Sequence, residues 1–452
     1  MKFLAILLVS LGVASLISGC DLARPKLHYG NGCKRCHGDV VLEDHDYPCV
    51  SCHSGDASAV TKKGAHRGLL KSPSSPKGAR YACIKCHEKE VGQVEQSLHY
   101  TLRGEVETIW KAFFPNEVPP RSIGEVPVET PLVTLRGLVA DLLRRRCARC
   151  HVFSRGDGYP ATERRLGCGA CHLRPGPRQM AHRFLKEVPD KNCLACHHGN
   201  FVGWDYVGRF QKDLEGSFQV PYYGGKAQDR PYGVEWLRMS PDIHMRLGYR
   251  CIDCHREGPC QEGGESKVVA CKTCHPKLSP SIPGHRPGDE GRVACGVCHA
   301  LWSFNDRGRT LVRQDIANYW AWYDLRFQGI REIEQLLASH YTVDYFYWLP
   351  PVMRDPYSGE VREGVWYETF LERRFWPVQI GVDESGRLSV VRPILDFSID
   401  YVDLDGEVVV ESLVPQIKCV YMPYSPHTIG KADIYRTIRV MGYLEGGRDG
   451  NE

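Results

Sequence analysis

The sequence predicts two kinds of structure in one chain. A long first part should consist of short helices and loops with little sheet, organised by bound groups rather than by side-chain packing. A small β-rich C-terminal domain with a packed helix should follow. Three observations predict this. The pentapeptide Cys-x-x-Cys-His occurs nine times, always between Cys33 and His299. The 272 residues from His28 to His299 are rich in Gly, Pro, Lys and Arg and poor in long apolar runs. After His299 the motif stops and the composition turns aromatic and β-branched.

The cysteine pairs are Cys33 and Cys36, Cys49 and Cys52, Cys83 and Cys86, Cys147 and Cys150, Cys168 and Cys171, Cys193 and Cys196, Cys251 and Cys254, Cys271 and Cys274, and Cys295 and Cys298. Each pair with its following His is the attachment signature of a c-type haem. Two thiols add across the two porphyrin vinyl groups, and the adjacent imidazole reaches the iron. The proximal ligands are then His37, His53, His87, His151, His172, His197, His255, His275 and His299. Eighteen of the 21 cysteines are used in this way, leaving Cys20, Cys260 and Cys419. A disulfide framework has no reason to place His after every second Cys, and zinc sites built from paired half-motifs would leave the ninth unmatched. The fold class is therefore that of a multihaem cytochrome c with nine covalently bound haems. The porphyrins supply the apolar area that the segment itself lacks.

Residues 1–19 read as a signal peptide: Met1-Lys2, then Phe3 to Ile17 almost wholly apolar, then small residues. That stretch is too short for a comfortable membrane span. Ile17-Ser18-Gly19-Cys20 matches a bacterial lipobox, which makes Cys20 the lipidated first residue of the mature chain. The expectation is an exported lipoprotein, anchored in a membrane and facing the periplasm or the cell exterior. The cytochrome domain then runs over 20–299 and a haem-free α+β, β-rich domain over 300–452.

The second axial ligand separates a wire from a catalyst. Two imidazoles saturate an iron, whereas an open sixth position admits a substrate. Of the 19 histidines, ten lie outside the motifs: His28, His45, His66, His99, His182, His198, His244, His285, His340 and His427. All ten are candidate distal ligands. Eight fall within the haem block, and eight cannot cap nine irons. One haem therefore takes His340 or His427, takes a Met such as Met180, Met239 or Met245, or stays open. No spare His occurs between His99 and His182, which points to the haem at Cys147 or at Cys168 as the odd one. His198 directly follows His197 and cannot bind the same iron; the run Cys196-His197-His198 resembles the Cys-x-x-Cys-His-His arrangement of small tetrahaem cytochromes, which implies that His198 serves a neighbouring haem.

The formal charge of +4 gives no nucleic-acid footprint. With ionised propionates the loaded protein should carry roughly −5 oxidised and about −14 reduced. Two inserts break the motif spacing. In residues 100–146, Gly104–Phe114 and Leu138–Arg146 read as helices. The run Arg144-Arg145-Arg146 is either a propionate clamp or a solvated helix end. Residues 199–243 carry Trp204, Tyr206, Phe210, Tyr222, Tyr223, Tyr232 and Trp236, suited to packing on haem faces. Beyond His299, Leu311–His340 reads as helical. Phe375–Val382, Arg387–Val391, Ile394–Asp403 and Glu407–Val414 read as strands, and Gln416–Met422 as a further one. Cys419 and Cys260 either pair or remain free.

The haem block resembles bacterial multihaem c-type cytochromes. Beyond the motif, the resemblance rests on His66-Arg67-Gly68-Leu69, on Ser97-Leu98-His99-Tyr100, and on Asp242-Ile243-His244 leading through Gly248 to Cys251 and His255. The lipobox with this motif order also resembles the cytochrome lipoproteins of selenite/tellurite-reduction and extracellular-electron-conduit operons. In such cytochromes a Pro-His-Thr segment commonly precedes a last haem motif. Pro426-His427-Thr428 is present here, but Ala432 to Met441 holds no Cys. By that resemblance His427 has lost its partner or serves another iron.

The expected function is electron transfer through closely packed haems in respiratory or extracellular electron transfer. No catalytic residue stands out. The expected partners are redox proteins, such as other cytochromes, an outer-membrane conduit or an inner-membrane quinol oxidase, together with the membrane itself and no nucleic acid. The alternative is a reductase of a small oxyanion (nitrite, tetrathionate, selenite or tellurite) at one haem with an open sixth site.

Overall fold

The computed structural model describes residues 32–38, 45, 47–173, 182–200, 203–212, 230–255, 269–282, 284–324, 328–340, 349–417 and 421–446. The expectations placed on the signal peptide, Cys20, His28, Met180, Tyr222, Tyr223, Cys260 and Cys419 lie outside the described residues, as does the side chain of His340. The chain divides into two compact units, Met1–Lys71 and Ser72–Glu452.

In the first unit, single helical turns at Lys34–His37 and Cys49–His53 carry the first two motifs. A third turn, Lys62–Ala65, is capped by the Thr61 hydroxyl, which accepts the Gly64 N–H. It delivers His66. Leu70 closes the unit, its N–H donating to the His53 carbonyl at 2.7 Å.

In the second unit, sheet within the haem block is confined, among the described residues, to the three-residue hairpin β1 (Arg209–Gln211) and β2 (Trp236–Arg238). Two helices of the first insert, α1 (Arg103–Phe113) and α2 (Leu135–Arg145), form as their periodicity requires. Val106, Ile109, Trp110 and Phe113 on one and Leu138, Val139, Leu142 and Leu143 on the other are buried.

Those two helices pack against strands from beyond His299. A four-stranded sheet has the order β10 (Val408–Leu413), β9 (Phe397–Val402), β3 (Arg307–Gln314), β6 (Val365–Glu372). The central β3 runs parallel to β9 and antiparallel to β6. Along β9 buried and half-buried residues alternate, so Phe397, Ile399 and Tyr401 enter the core beside Trp110, Phe113 and Trp366. One core thus draws on both the insert and the C-terminal region. A short antiparallel pair joins β4 (Val352–Arg354) to β5 (Val361–Glu363), and a three-stranded sheet pairs β8 (Leu388–Pro393) with β7 (Ile380–Val382) and β11 (Tyr421–Pro423). The helix α5 (Ile434–Gly446) places Val440 and Leu444 against Val297 of the ninth motif. Between β3 and α5 lie the helices α3 (Tyr319–Asp324) and α4 (Arg331–His340).

Three expectations change. Leu311–Gln314 is strand, not helix, because β3 is held by hydrogen-bonded neighbours on both edges; the helical periodicity holds only from Tyr319 on. Of Phe375–Val382 only Ile380–Val382 is strand, consistent with Pro377, which lacks the N–H a ladder needs. The basic run before Cys147 is neither solvated nor a propionate clamp at its first two residues. Arg144 pairs with Asp355 at 2.6 Å, and Arg145 pairs with Asp141 at 2.8 Å. Asp141 also meets Arg313 at 2.5 Å, Arg362 at 3.5 Å and the Trp366 indole N–H at 2.8 Å. The insert aromatics Trp204, Phe210 and Tyr232 cluster with one another and with Trp302 and Phe304.

Candidate functional site

Cys, Cys and His at positions i, i+3 and i+4 of one helical turn share one face. Eight of the nine motifs adopt that turn. The His N–H donates to the carbonyl of the first Cys at 3.0 Å in His37, 2.9 Å in His87, 2.8 Å in His197, 2.9 Å in His255 and 2.9 Å in His275. Three further motifs lie entirely within helices, Cys49–His53, Cys168–His172 and Cys295–His299. None of the eighteen motif cysteines is joined to another by a disulfide. The first cysteines of two motifs stand in hydrogen-bonding contact in four cases: Cys33 with Cys49, Cys83 with Cys168, Cys193 with Cys251, and Cys271 with Cys295. Attachment edges are thereby brought together two by two.

Among the described residues, motif imidazoles face an imidazole from outside the motifs at these five sites. Ring centres are 5.9 Å apart for His37 and His66, 6.1 Å for His197 and His99, and 6.3 Å for His255 and His427. They are 6.1 Å apart for both His275 with His244 and His299 with His285. Two opposed imidazoles on one metal, each bonded at about 2.0 Å and each with its nitrogen about 1.1 Å from the ring centre, would stand roughly 6.2 Å apart. The ring nitrogens are also oriented. Nδ1 lies 3.0 Å from the carbonyl of Leu70 in His53, of Leu185 in His172 and of Gly430 in His299. In His244 it lies 2.8 Å from the Asp242 carboxylate. A proton held on Nδ1 leaves the Nε2 lone pair for a metal. Burial, then the neighbouring His99, pushes His197 down to about 4, so it is neutral at pH 7 as a ligand must be.

The fourth motif differs in each respect. Cys147–Cys150 is a 3-10 turn, and the His151 N–H donates to Ala148, not to Cys147, at 2.9 Å. Nδ1 of His151 accepts the Phe153 N–H at 3.2 Å, while Nε2–H donates to the Tyr100 carbonyl. The proton is on the nitrogen that would have to bind a metal. Phe153 stacks on the ring at 4.7 Å, and among the described residues no second imidazole faces it. The residues as placed here do not fit an iron on His151 Nε2, although they fit thioether attachment. The Cys147 thiol hydrogen-bonds Glu105 rather than another motif's cysteine. Burial holds Glu105 above the usual carboxylate value and pushes the Cys150 thiol up to about 12. Both side chains nevertheless keep exposed surface. Arg146 pairs with Glu368 at 2.9 Å and Arg149 with Asp157 at 2.9 Å. Arg164 ties the motif to the sixth, donating to the Arg149 carbonyl at 2.6 Å and to the Ala195 carbonyl at 3.3 Å.

The remaining candidates fall as follows. His198 lies 3.8 Å from Asp157 with its ring against Tyr232, and among the described residues it faces no motif imidazole. In the first unit His45 remains, its ring beside Tyr47, and in the second His182. Met239 packs against the Trp204 cluster, and Met245 is exposed. Sequence reasoning missed Asp205, which contacts His427, and also Glu105 and Arg164. None sits at a diagnostic spacing from a motif. Asp242 had a signal, standing two residues before His244 as the cap of its turn.

Among the described residues no three His, Cys, Asp or Glu side chains converge to hold a bare metal ion. Comparison with family models, with curated proteins and with solved structures finds no match.

Proposed function

We propose that this chain is a nonahaem c-type cytochrome that relays electrons, held at a membrane by a lipid on Cys20 and exchanging electrons with other redox proteins. The observation that carries this reading is the set of five opposed imidazole pairs at 5.9–6.3 Å, each containing one motif histidine. Bound c-type haems supply one-electron chemistry at iron. The chain's own part is to fix where they sit and how. The thiols attach them, and the contacts between first cysteines set them edge to edge. Carbonyl and carboxylate acceptors turn Nε2 toward the metal. Two imidazoles leave no open coordination position, which favours passage of electrons over binding of a substrate.

The second reading, a reductase of a small oxyanion, is favoured by one observation: with His151 Nε2 turned to the Tyr100 carbonyl and no second imidazole facing it among the described residues, a haem attached at Cys147 and Cys150 would have a position that no imidazole fills. Intact mass and a haemochrome assay test the main reading and should count nine haems per chain. A chain that matures without haem would end it. Steady-state assays with nitrite, tetrathionate, selenite and tellurite test the second. Turnover that survives loss of Cys147 and Cys150 would remove its basis.

A further inference from the structure

Among the contacts of the C-terminal region with the haem block, those of the segment Tyr424 to Gly430 reach three motifs. His427 faces His255 of the seventh motif, ring centres 6.3 Å apart and tilted by 33°. Asp205, from the second insert, lies behind it. Its Oδ2 accepts the His427 backbone N–H at 3.0 Å, stands 3.5 Å from Nδ1 and accepts the Tyr424 hydroxyl. Its Oδ1 accepts the Tyr206 N–H at 3.1 Å. Asp205 is fully buried, and a buried carboxylate is costly unless donors satisfy it. Here the donors come from the neighbouring Tyr206 and from the returning segment, so the carboxylate has a reason to be there only when His427 is in place.

The same segment reaches two more motifs. The Ile429 N–H donates to Asp242 Oδ2 at 2.8 Å, and Asp242 Oδ1 is the acceptor that orients His244, the partner of His275. Gly430 exchanges two bonds with His299: its N–H donates to the His299 carbonyl at 2.9 Å, and its carbonyl lies 3.0 Å from His299 Nδ1. Thr428 anchors the middle, its carbonyl accepting the Leu301 N–H at 2.9 Å and its hydroxyl donating to the Trp302 carbonyl.

We infer that His427 is the sixth ligand of the seventh haem, that Asp205 is its positioning residue, and that the segment Tyr424–Gly430 sets ligand orientation at the seventh, eighth and ninth haems together. This rests on the nonahaem reading. The carboxylate holds the His427 backbone through its N–H and places a negative charge 3.5 Å from Nδ1, which raises the basicity of the imidazole. The consequence is a lower reduction potential at one haem than an unsupported imidazole would give.

The test uses the full-length, matured protein. His427→Gly should convert one further haem to the high-spin form, with one further carbon monoxide bound per chain after reduction. Added imidazole should restore the low-spin form and abolish the extra carbon monoxide binding. His427→Met, which keeps a ligand, should add the near-infrared charge-transfer band of His/Met iron at one haem equivalent. Asp205→Asn should leave all ligation intact and raise the potential of about one ninth of the redox titration. Nine haems with an unchanged low-spin spectrum and no gained ligand binding in both His427 variants would overturn the inference while leaving the electron-transfer reading standing. Absence of haem from the wild-type chain would instead end that reading.

Discussion

The fourth motif and the last three treat the same pentapeptide in opposite ways. At the seventh to ninth motifs each histidine donates its backbone N–H back to the first cysteine or completes a full helical turn, and each faces a second imidazole. At the fourth, the turn is tighter, the proton sits on Nε2, and a backbone carbonyl occupies the place of a ligand. Nothing in the five residues Cys147 to His151 explains this. The difference lies in what surrounds them. Cys147 and Ala148 are built into the side-chain core that joins α1 and α2 to the C-terminal sheet, and the neighbourhood of His151 is set by Tyr100 and Phe153. A motif states where a group is attached; the packing around it states what its sixth position meets.

Replacing Cys147 and Cys150 by Ala should have the largest effect. It should remove whatever high-spin signal and carbon monoxide binding the wild type shows, leaving eight low-spin haems by electron paramagnetic resonance. The same replacement at Cys295 and Cys298 should leave that signal in place. Loss of the signal in the second variant and not the first would break the comparison. Asp141→Ala comes next, since it strips the shared carboxylate from Arg145, Arg313 and Arg362 beneath α2. Breaking a buried ion pair costs about 3–5 kcal/mol, readable in urea unfolding followed by far-ultraviolet circular dichroism. Burial raises the Asp141 carboxyl, but Arg145 and Arg313 outweigh it and hold it below its ordinary value. A group whose folded value is depressed stabilises fully above the unfolded value of about 3.9 and loses that contribution as pH falls through the folded value. The wild type should therefore lose stability over that acid range, and the Ala variant should lack that part of the slope. Arg164→Met should be the mildest. It cuts the two bonds that tie the fourth motif to the sixth, at a cost of about 2 kcal/mol. Unchanged stability would mean that the two motifs are held together by other contacts.

What the sequence makes legible is local. The Cys, Cys, His spacing defines the turn without further information, and the 3.6-residue period of Val106, Ile109, Trp110 and Phe113 defines α1. The pairing of histidines is another matter. His244 lies just upstream of Cys251, yet its ring faces His275 of the next motif. His99 faces His197, and His427 faces His255, across separations that only the packing of the inserts closes. Arg144 and Arg145 looked free to meet propionates because Asp355 and Asp141 become their partners only once α2 is laid on the sheet. Asp205 gave no sign at all, since its meaning depends on a segment more than two hundred residues later.

That last dependence orders events during assembly. Tyr424–Gly430 follows every motif in chain order, so on the proposed reading thiols at Cys251, Cys271 and Cys295 would be exported and loaded before the segment that completes their ligand environments had crossed the membrane. Until then the three sites would be attached but unfinished, with Asp205 unsatisfied and His255 facing solvent. On that reading their redox behaviour would be acquired at the end of translocation, and a chain halted short of Tyr424 would carry its haems without having tuned them.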